Sequence, residues 1–296
     1  MAFDFVGKHR IFLIISLIVI LAGLIVALWQ GLNLGIDFIG GSLIYVNIGK
    51  SYSADDIRDI LSSEGIDATV VQVGESKQDA MIRMRHMENQ EAIQEKLISA
   101  LKEKYELTDD KFNVESTGPT VGKDLTLNAF KSIIIAWIFM LIYIWLRFEL
   151  KSGVIAVIAL IHDVLVMIAL AALMRTQINS PFVAAVLTII GYSINNTIVI
   201  FDRIRENSKQ FRRKLSRAEI TNTSISQTLA RSINTSLTTL LTVLALYIFG
   251  VESIKEFTLP IIVGLLGGTY SSIFIAGPLW AAWTEKSASK KPAAAK

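Results

Sequence analysis

The sequence predicts a polytopic α-helical membrane protein of six transmembrane helices, with one α+β domain inserted between the first and the second. Three observations carry that reading. Hydrophobic residues make up 52% of the 296, and the mean hydropathy is +0.50, greasier than soluble domains run. Six long apolar runs follow one another, and the first and fourth are uncharged for about 20 residues, the length that crosses a bilayer as a helix. Cations gather in alternate connections, the positive-inside pattern. The net charge of +3 is mild and sits in those connections, so it argues orientation and gives no reason to expect nucleic-acid binding. There is no cysteine, which excludes disulfides, thiol catalysis and cysteine metal sites. His9, His86 and His162 lie far apart and form no metal-ligand spacing, so neither a metal nor a cofactor is expected.

Residues 1–30 are read as a cytoplasmic N-terminus and the first span. Lys8 and Arg10 precede an uncharged run over 11–30. That run is too long for the apolar core of a signal peptide, and no small-residue cleavage site follows, so the helix is retained. Residues 31–127 form the external domain with its linkers. Four glycines and Asp37 over 31–41 read as a structured turn where backbones approach closely. Strands are predicted over 42–48, 67–73, 80–85 and 111–116. Helices are predicted over 54–63, where Ser53 is a good N-cap with Asp55 and Asp56 in the first turn, and over 89–105, where Ala92, Ile93, Leu97, Ile98 and Leu101 repeat at helical spacing. The order βαββαβ is the ferredoxin-like pattern.

Residues 128–283 supply the other five spans, at about 132–146, 153–173, 181–201, 234–250 and 257–283, with a cytoplasmic loop over 202–230 and a cytoplasmic tail over 284–296. Arg147 and Lys151 then fall inside and Arg175 alone outside. Arg203, Arg205, Lys209, Arg212, Arg213, Lys214 and Arg217 fall inside, as do Lys286, Lys290 and Lys291. The seven-cation loop is read as a topological determinant in contact with lipid headgroups. Gly264 and Gly268 form a Gly-x-x-x-Gly pair that permits close helix packing.

Polar residues inside apolar spans mark where chemistry can reside. Asp163 sits mid-span, either as a functional carboxylate or as a packing acid bonded to a neighbouring hydroxyl. His162, one residue earlier, points about 100° away along the helix and reads as a structural hydrogen-bonder. The fourth span holds Ser193, Asn195, Asn196 and Thr197, which must face other helices or water. Arg231 opens the fifth span and is either a partner for those amides or a cation that snorkels to the interface. Thr235, Thr238, Thr239 and Thr242 follow it near one helical face, as if lining the bundle interior.

The segment GYSINNTIVIFDRIREN at 191–207 resembles the signature of the SecF family, the smaller half of the SecDF accessory complex of bacterial protein export, in the resistance–nodulation–division superfamily of proton-driven transporters. Further matches are Gly35-Ile-Asp-Phe38 with Gly40 and Gly41 (Ile39 stands where Thr is usual), Gly118-Pro-Thr-Val-Gly122, His162-Asp163, and Thr228-Leu-Ala-Arg-Ser232. The resemblance implies a non-enzymatic subunit in the bacterial cytoplasmic membrane, with both termini cytoplasmic. Its implied partners are SecD, the SecYEG translocon, the translocating preprotein and membrane lipids. The proton-motive force would move external domains that hold the emerging preprotein. The resemblance puts Asn196 and Arg231 at the ion relay, and the polar residues of the spans add Asp163 to it, with Asn195, Ser193, Thr235 and Thr239 in support. Asp37, Gly40, Gly41, Asp202 and Arg203 are structural motif positions. The family usually has Asp at position 196, and Asn never titrates. Three readings therefore stand: an inactivated relay, a relay that uses Asp163 or a partner's acid, or coupling that is weak or uses another ion. Rival functions are a passive scaffold and a small-molecule or lipid exporter of the same superfamily.

Overall fold

The computed structural model describes residues 3–63, 65–66, 68–73, 78–87, 89–211 and 214–289. Asp67 of the expected second strand, Arg212 and Arg213 of the cationic loop, and Lys290 and Lys291 of the tail lie outside them, as does the side chain of Lys286. Six helices are long and apolar enough to cross a membrane. They are α1 (His9–Gln30), α5 (Pro119–Arg147), α6 (Leu150–Met174), α7 (Ser180–Phe211), α8 (Arg217–Phe249), and a last span made of α9 (Glu252–Ser271), a π-helical turn (Ser272–Ala276) and α10 (Gly277–Ser289).

Several helices run beyond their apolar windows. Pro119 stands at the first helical position after an extended Gly118, where its fixed φ suits helix entry, so the segment expected as a linker is the first two turns of α5. Most of the expected 202–230 loop is helical too. Ser216 starts α8 with a capping box: its hydroxyl accepts from Glu219 N at 3.2 Å, and the Glu219 carboxylate accepts from Ser216 N at 2.8 Å. Helix propensity does not stop at the membrane edge, whereas hydropathy does.

The apolar windows of α6, α7 and the last span are 50–56% buried, against 6–11% for α1, α5 and α8. The first three are therefore the centre of the bundle, and the others present large apolar faces outward. Small residues bring helices close. A Cβ on Gly264 would lie 2.4 Å from Ile189 of α7, one on Gly268 2.8 Å from Ser193, and one on Gly23 of α1 2.4 Å from Ala169 of α6. The Gly-x-x-x-Gly pair thus packs within the chain.

The α+β module runs β1 (Gly41–Asn47), α3 (Ala54–Ser63), β2 (Ala68–Val73), β3 (Asp79–Arg85), α4 (Gln90–Tyr105) and β4 (Phe112–Thr117). Its antiparallel sheet has the order β2-β3-β1-β4, with Ile44 opposite Ile82 and Val114. Alternation puts Ile44, Val46, Ala80, Ile82 and Met84 on one face, buried with Ile57, Leu61, Leu97 and Leu101 of the two helices. Arg83 falls on the other face, and it donates to Glu256 at the start of α9 at 2.5 Å.

The join between module and bundle is built by backbone. The short helix α2 (Ile36–Ile39) hangs from the α6–α7 turn through Gly35 N to Ile178 O and Ile178 N to Asn33 O, both 2.8 Å. Asp37 accepts from Ser180 N at 2.7 Å. Gly40 (φ 77°) and Gly41 (φ 143°) turn the chain into β1, and a Cβ on Gly41 would lie 2.2 Å from Met84 O.

Candidate functional site

A polar seam crosses the centre of the bundle. Among the described residues Asp163 of α6 is the only charged side chain that is fully buried, at 1% exposure. Ser193 of α7 donates to its Oδ2 at 2.6 Å, and His162 Nδ1 lies 3.1 Å from its Oδ1. One turn along α7, Thr197 and Ser272 share a hydroxyl–hydroxyl bond at 2.9 Å, and Ser272 Oγ also lies 2.8 Å from Gly268 O. Ser272 opens the π-helical turn, and such turns often sit at functional sites.

A second branch leaves the same face of α7, since Ser193 and Asn196 are three residues apart. Asn196, 3% exposed, donates to Ser236 of α8 at 3.2 Å. Thr269 Oγ1 of α9 lies 2.7 Å from both Ser236 Oγ and Leu265 O. Beside it the Tyr270 hydroxyl donates to Phe12 O of α1 at 2.6 Å, and Ser16 donates to Tyr270 at 3.3 Å. Ser236, Thr269 and Tyr270 form the polar wall of an otherwise apolar cavity of about 610 Å³ between α8 and α9, whose lining includes Phe3 and Phe5. The cavity therefore reaches the seam.

The structure gathers Asp163, Ser193 and Asn196 and leaves four of the expected relay and supporting residues outside: Asn195, Arg231, Thr235 and Thr239. Asn195 is exposed, because one residue further along a helix turns by about 100°. Arg231 is exposed and, among the described residues, makes neither a hydrogen bond nor an ion pair; Asn196 reaches Ser236 instead. Thr235 and Thr239 are half-buried. Thr238 and Thr239 donate to Thr235 O and Thr242 donates to Thr238 O, so these hydroxyls are satisfied on their own helix and do not line the interior. His162 departs from the helical-wheel expectation: its ring turns back onto Asp163. Sequence reasoning missed Thr269, Tyr270 and Ser272, for which the polar cluster Thr269-Tyr-Ser-Ser272 in an uncharged span was a signal.

Toward the C-terminal end of α7, Arg203 bonds Glu206 at 2.6 Å and Gln227 of α8 at 2.7 Å, and Asn207 donates to Ser224 and Gln227, each at 2.8 Å. These bonds hold the extensions of α7 and α8 together. Asp202 is exposed and without an ion pair among the described residues.

Six apolar helices packed around a buried carboxylate and a seam of hydroxyls and amides, with a small antiparallel sheet docked on the bundle, define a multi-pass membrane protein with an ionisable interior. The chain belongs to the SecD/SecF family of bacterial protein export membrane proteins. The family model "Protein export membrane protein SecD/SecF, C-terminal" matches residues 96–286, and "SecD/SecF GG Motif" matches residues 30–50. The chain is 40% identical over 275 residues to protein translocase subunit SecF of Desulfurispirillum indicum, covering 91% of this chain and 88% of that one. It is 37% identical over 290 residues to SecF of Acidaminococcus fermentans, covering 96% and 98%. Against protein translocase subunit SecDF of Bacillus subtilis it is 40% identical over 293 residues, which is 98% of this chain and 39% of that longer protein. The crystal structure of SecDF from Thermus thermophilus, described as a translocon-associated membrane protein, superposes with a TM-score of 0.83 at 33% identity. It covers 96% of this chain and 39% of that one.

Proposed function

We propose that this chain is a protein-export subunit that pairs with SecD beside the SecYEG channel and uses an ion gradient to promote preprotein translocation. The observation that carries the coupling is the buried Asp163 inside a seam shared by α6, α7 and α9, beside a cavity that reaches it. A carboxylate removed from water is costly unless its charge is compensated or titrated, so a seam built around one is suited to ion uptake. Asn196 donates into the same seam but cannot change charge, so the coupling in this reading rests on Asp163. Exposed Asn195 and unpaired Arg231 are polar groups on membrane-spanning surface, and they are suited to meet a partner bundle. SecD is that partner in this reading, because SecDF relatives carry the matching segment within a longer chain.

The architecture is read accordingly. Both termini lie in the cytoplasm, residues 1–30 hold the N-terminal segment and the first span, 31–127 the external domain, 128–283 the remaining bundle, and the tail begins at 284. The external domain is ferredoxin-like: the order β2-β3-β1-β4 with two crossover helices on one face supports a split βαβ fold. No catalytic step belongs to this function.

The test is export of a secretory protein into vesicles carrying the chain with SecD, with and without an imposed proton gradient. The gradient increases export for the chain as it stands, and Asp163→Asn removes the increase. Export that ignores the gradient in both leaves a passive scaffold, a reading that Asn196 and the unpaired Arg231 favour.

A further inference from the structure

We infer that the cavity between α8 and α9 binds one acyl chain of an anionic phospholipid, with the headgroup held at its Phe3 end by Lys8. Length and position fit a lipid chain. The lining of α8 runs from Leu229 to Leu240, about 16 Å of helix, and the facing wall runs from Leu265 of α9 to Phe274 of the π-helical turn. The hydrocarbon core of a bilayer is about 30 Å thick, so this groove is as long as one leaflet. Phe3 and Phe5, just before α1, line it, so it belongs to the leaflet on the N-terminal side. Phe3, Ile233, Leu237 and Leu266 remain 44–56% exposed, so the groove is open sideways to lipid.

The wall selects hydrocarbon. Its polar residues are already engaged within the protein: Asn196 donates to Ser236, Thr269 Oγ1 lies 2.7 Å from both Ser236 Oγ and Leu265 O, and the Tyr270 hydroxyl donates to Phe12 O. Each hydroxyl has its partner, so a methylene chain breaks no hydrogen bond on entry, and an apolar cavity takes an apolar guest. The volume of about 610 Å³ is within the range of small-molecule sites. Asp163 and Ser193 do not line the groove, so the inference goes beyond the coupling reading and does not rest on it.

Charge selects the headgroup. Lys8 Nζ stands 4.7 Å from the centre of the Phe3 ring, and Phe3 is itself a wall of the groove. Lys8 makes no ion pair among the described residues. The neighbouring carboxylate, Asp4, is turned away: its Oδ1 accepts from Gly7 N and from Asn222 Nδ2, each at 2.8 Å. An ammonium over the groove wall is placed for the phosphate of a lipid whose chain lies below it. One such cation at a bilayer surface favours an anionic over a zwitterionic lipid about fivefold. A partner helix is the poorer occupant. Arg231, read above as meeting SecD, is two residues from both Leu229 and Ile233, about 200° round α8 from each, and so projects from the opposite face.

The test is photocrosslinking of the full chain in phosphatidylcholine liposomes doped with phosphatidylglycerol that carries a diazirine on its acyl chain, with the labelled residues mapped by mass spectrometry. Label is expected at Ile233, Leu237 and Leu266 in excess over Leu17, Ile18 and Phe139, which are comparably exposed but line no groove. Leu237→Trp with Leu266→Trp, at two half-exposed positions, fills the groove and removes the excess label at Ile233, whereas Leu241→Trp, exposed on the same helix but outside the lining, leaves it in place. Unlabelled phosphatidylglycerol competes for the groove about fivefold better than phosphatidylcholine, and Lys8→Gln abolishes that preference while the acyl label stays. Label spread evenly over the exposed apolar faces overturns the inference, as does a preference that survives Lys8→Gln. Groove label that vanishes when SecD is reconstituted with the chain assigns the groove to a protein helix and overturns it too.

Discussion

Glu256 is the clearest place to test how the α+β module is held. Its carboxylate takes Arg83 of β3 at 2.5 Å and Asn179 at 2.7 Å, and Asn179 Oδ1 in turn accepts from Phe182 N at the start of α7. One carboxylate thus ties the sheet to the first turns of two central helices. The pair is only 19% and 20% exposed, so solvent screens it less than a surface bridge. Hydrogen bonds to charged groups contribute about 1.5–3 kcal/mol each. Glu256→Gln keeps the shape and the Asn179 contact but removes the charge facing Arg83, whose Nε already has no partner. The expected loss in docking is about 2 kcal/mol, and at about 1.4 kcal/mol per factor of ten that is roughly 30-fold in the docked-to-undocked ratio. Hydrogen exchange reads it directly. The amides of Gly35, Ile178 and Ser180, which make the join, exchange roughly 30-fold faster, while those of Ile44 and Ile82 inside the sheet hold their rate. Join amides that change by less than about twofold would refute the idea that this ion pair holds the module.

Four further outcomes are expected. Gly264→Val and Gly268→Val force side chains into Ile189 and Ser193 and cost about 1–3 kcal/mol each, whereas Gly267→Val, with its nearest atom 3.8 Å away, is tolerated; unfolding in mixed micelles separates them. Arg231→Ala leaves the thermal stability of the isolated chain within about 0.5 kcal/mol, because Arg231 has no partner among the described residues, yet abolishes gradient-dependent export with SecD. Asn196→Asp adds a titratable group to the seam and increases the response of export to a proton gradient; an unchanged response removes position 196 from the ion path. Burial pushes the Tyr52 hydroxyl up to about 12, with Tyr105 and Asp79 adding to it, and the hydroxyl donates to Asp79 O at 2.8 Å. The folded module therefore favours the protonated phenol. Its contribution is whole below the ordinary value of 10 and is lost as pH rises from 10 toward 12. Phenolate absorbance and module unfolding should follow one another over that window, and Tyr52→Phe should flatten the dependence.

Much of the architecture is legible from periodicity and hydropathy. The apolar windows locate all six spans, and the two-residue and 3.6-residue repeats locate four strands and two helices within a residue or two. Asp163 and the Ser193–Thr197 cluster stand out because polar atoms in hydrocarbon need partners. The helix lengths of α5, α7 and α8 were not legible from apolar runs, since polar turns such as those after Ser216 continue a helix in water as readily as apolar ones do.

The sequence alone therefore determines the number of spans, the order of the module and the presence of one buried acid, because each follows from transfer free energy and repeat period. Only the tertiary structure decides which polar groups meet. Thr235 and Ser236 are adjacent, yet Ser236 receives Asn196 while Thr235 stays among back-bonded threonines. Asn195 and Asn196 are chemically identical, yet one is exposed and the other buried. His162 and Asp163 point apart on a helical wheel, yet the imidazole turns onto the carboxylate. These outcomes depend on helix separation, set by glycines packing at sub-methyl distances, and on side-chain torsions. No periodicity in a single chain encodes either.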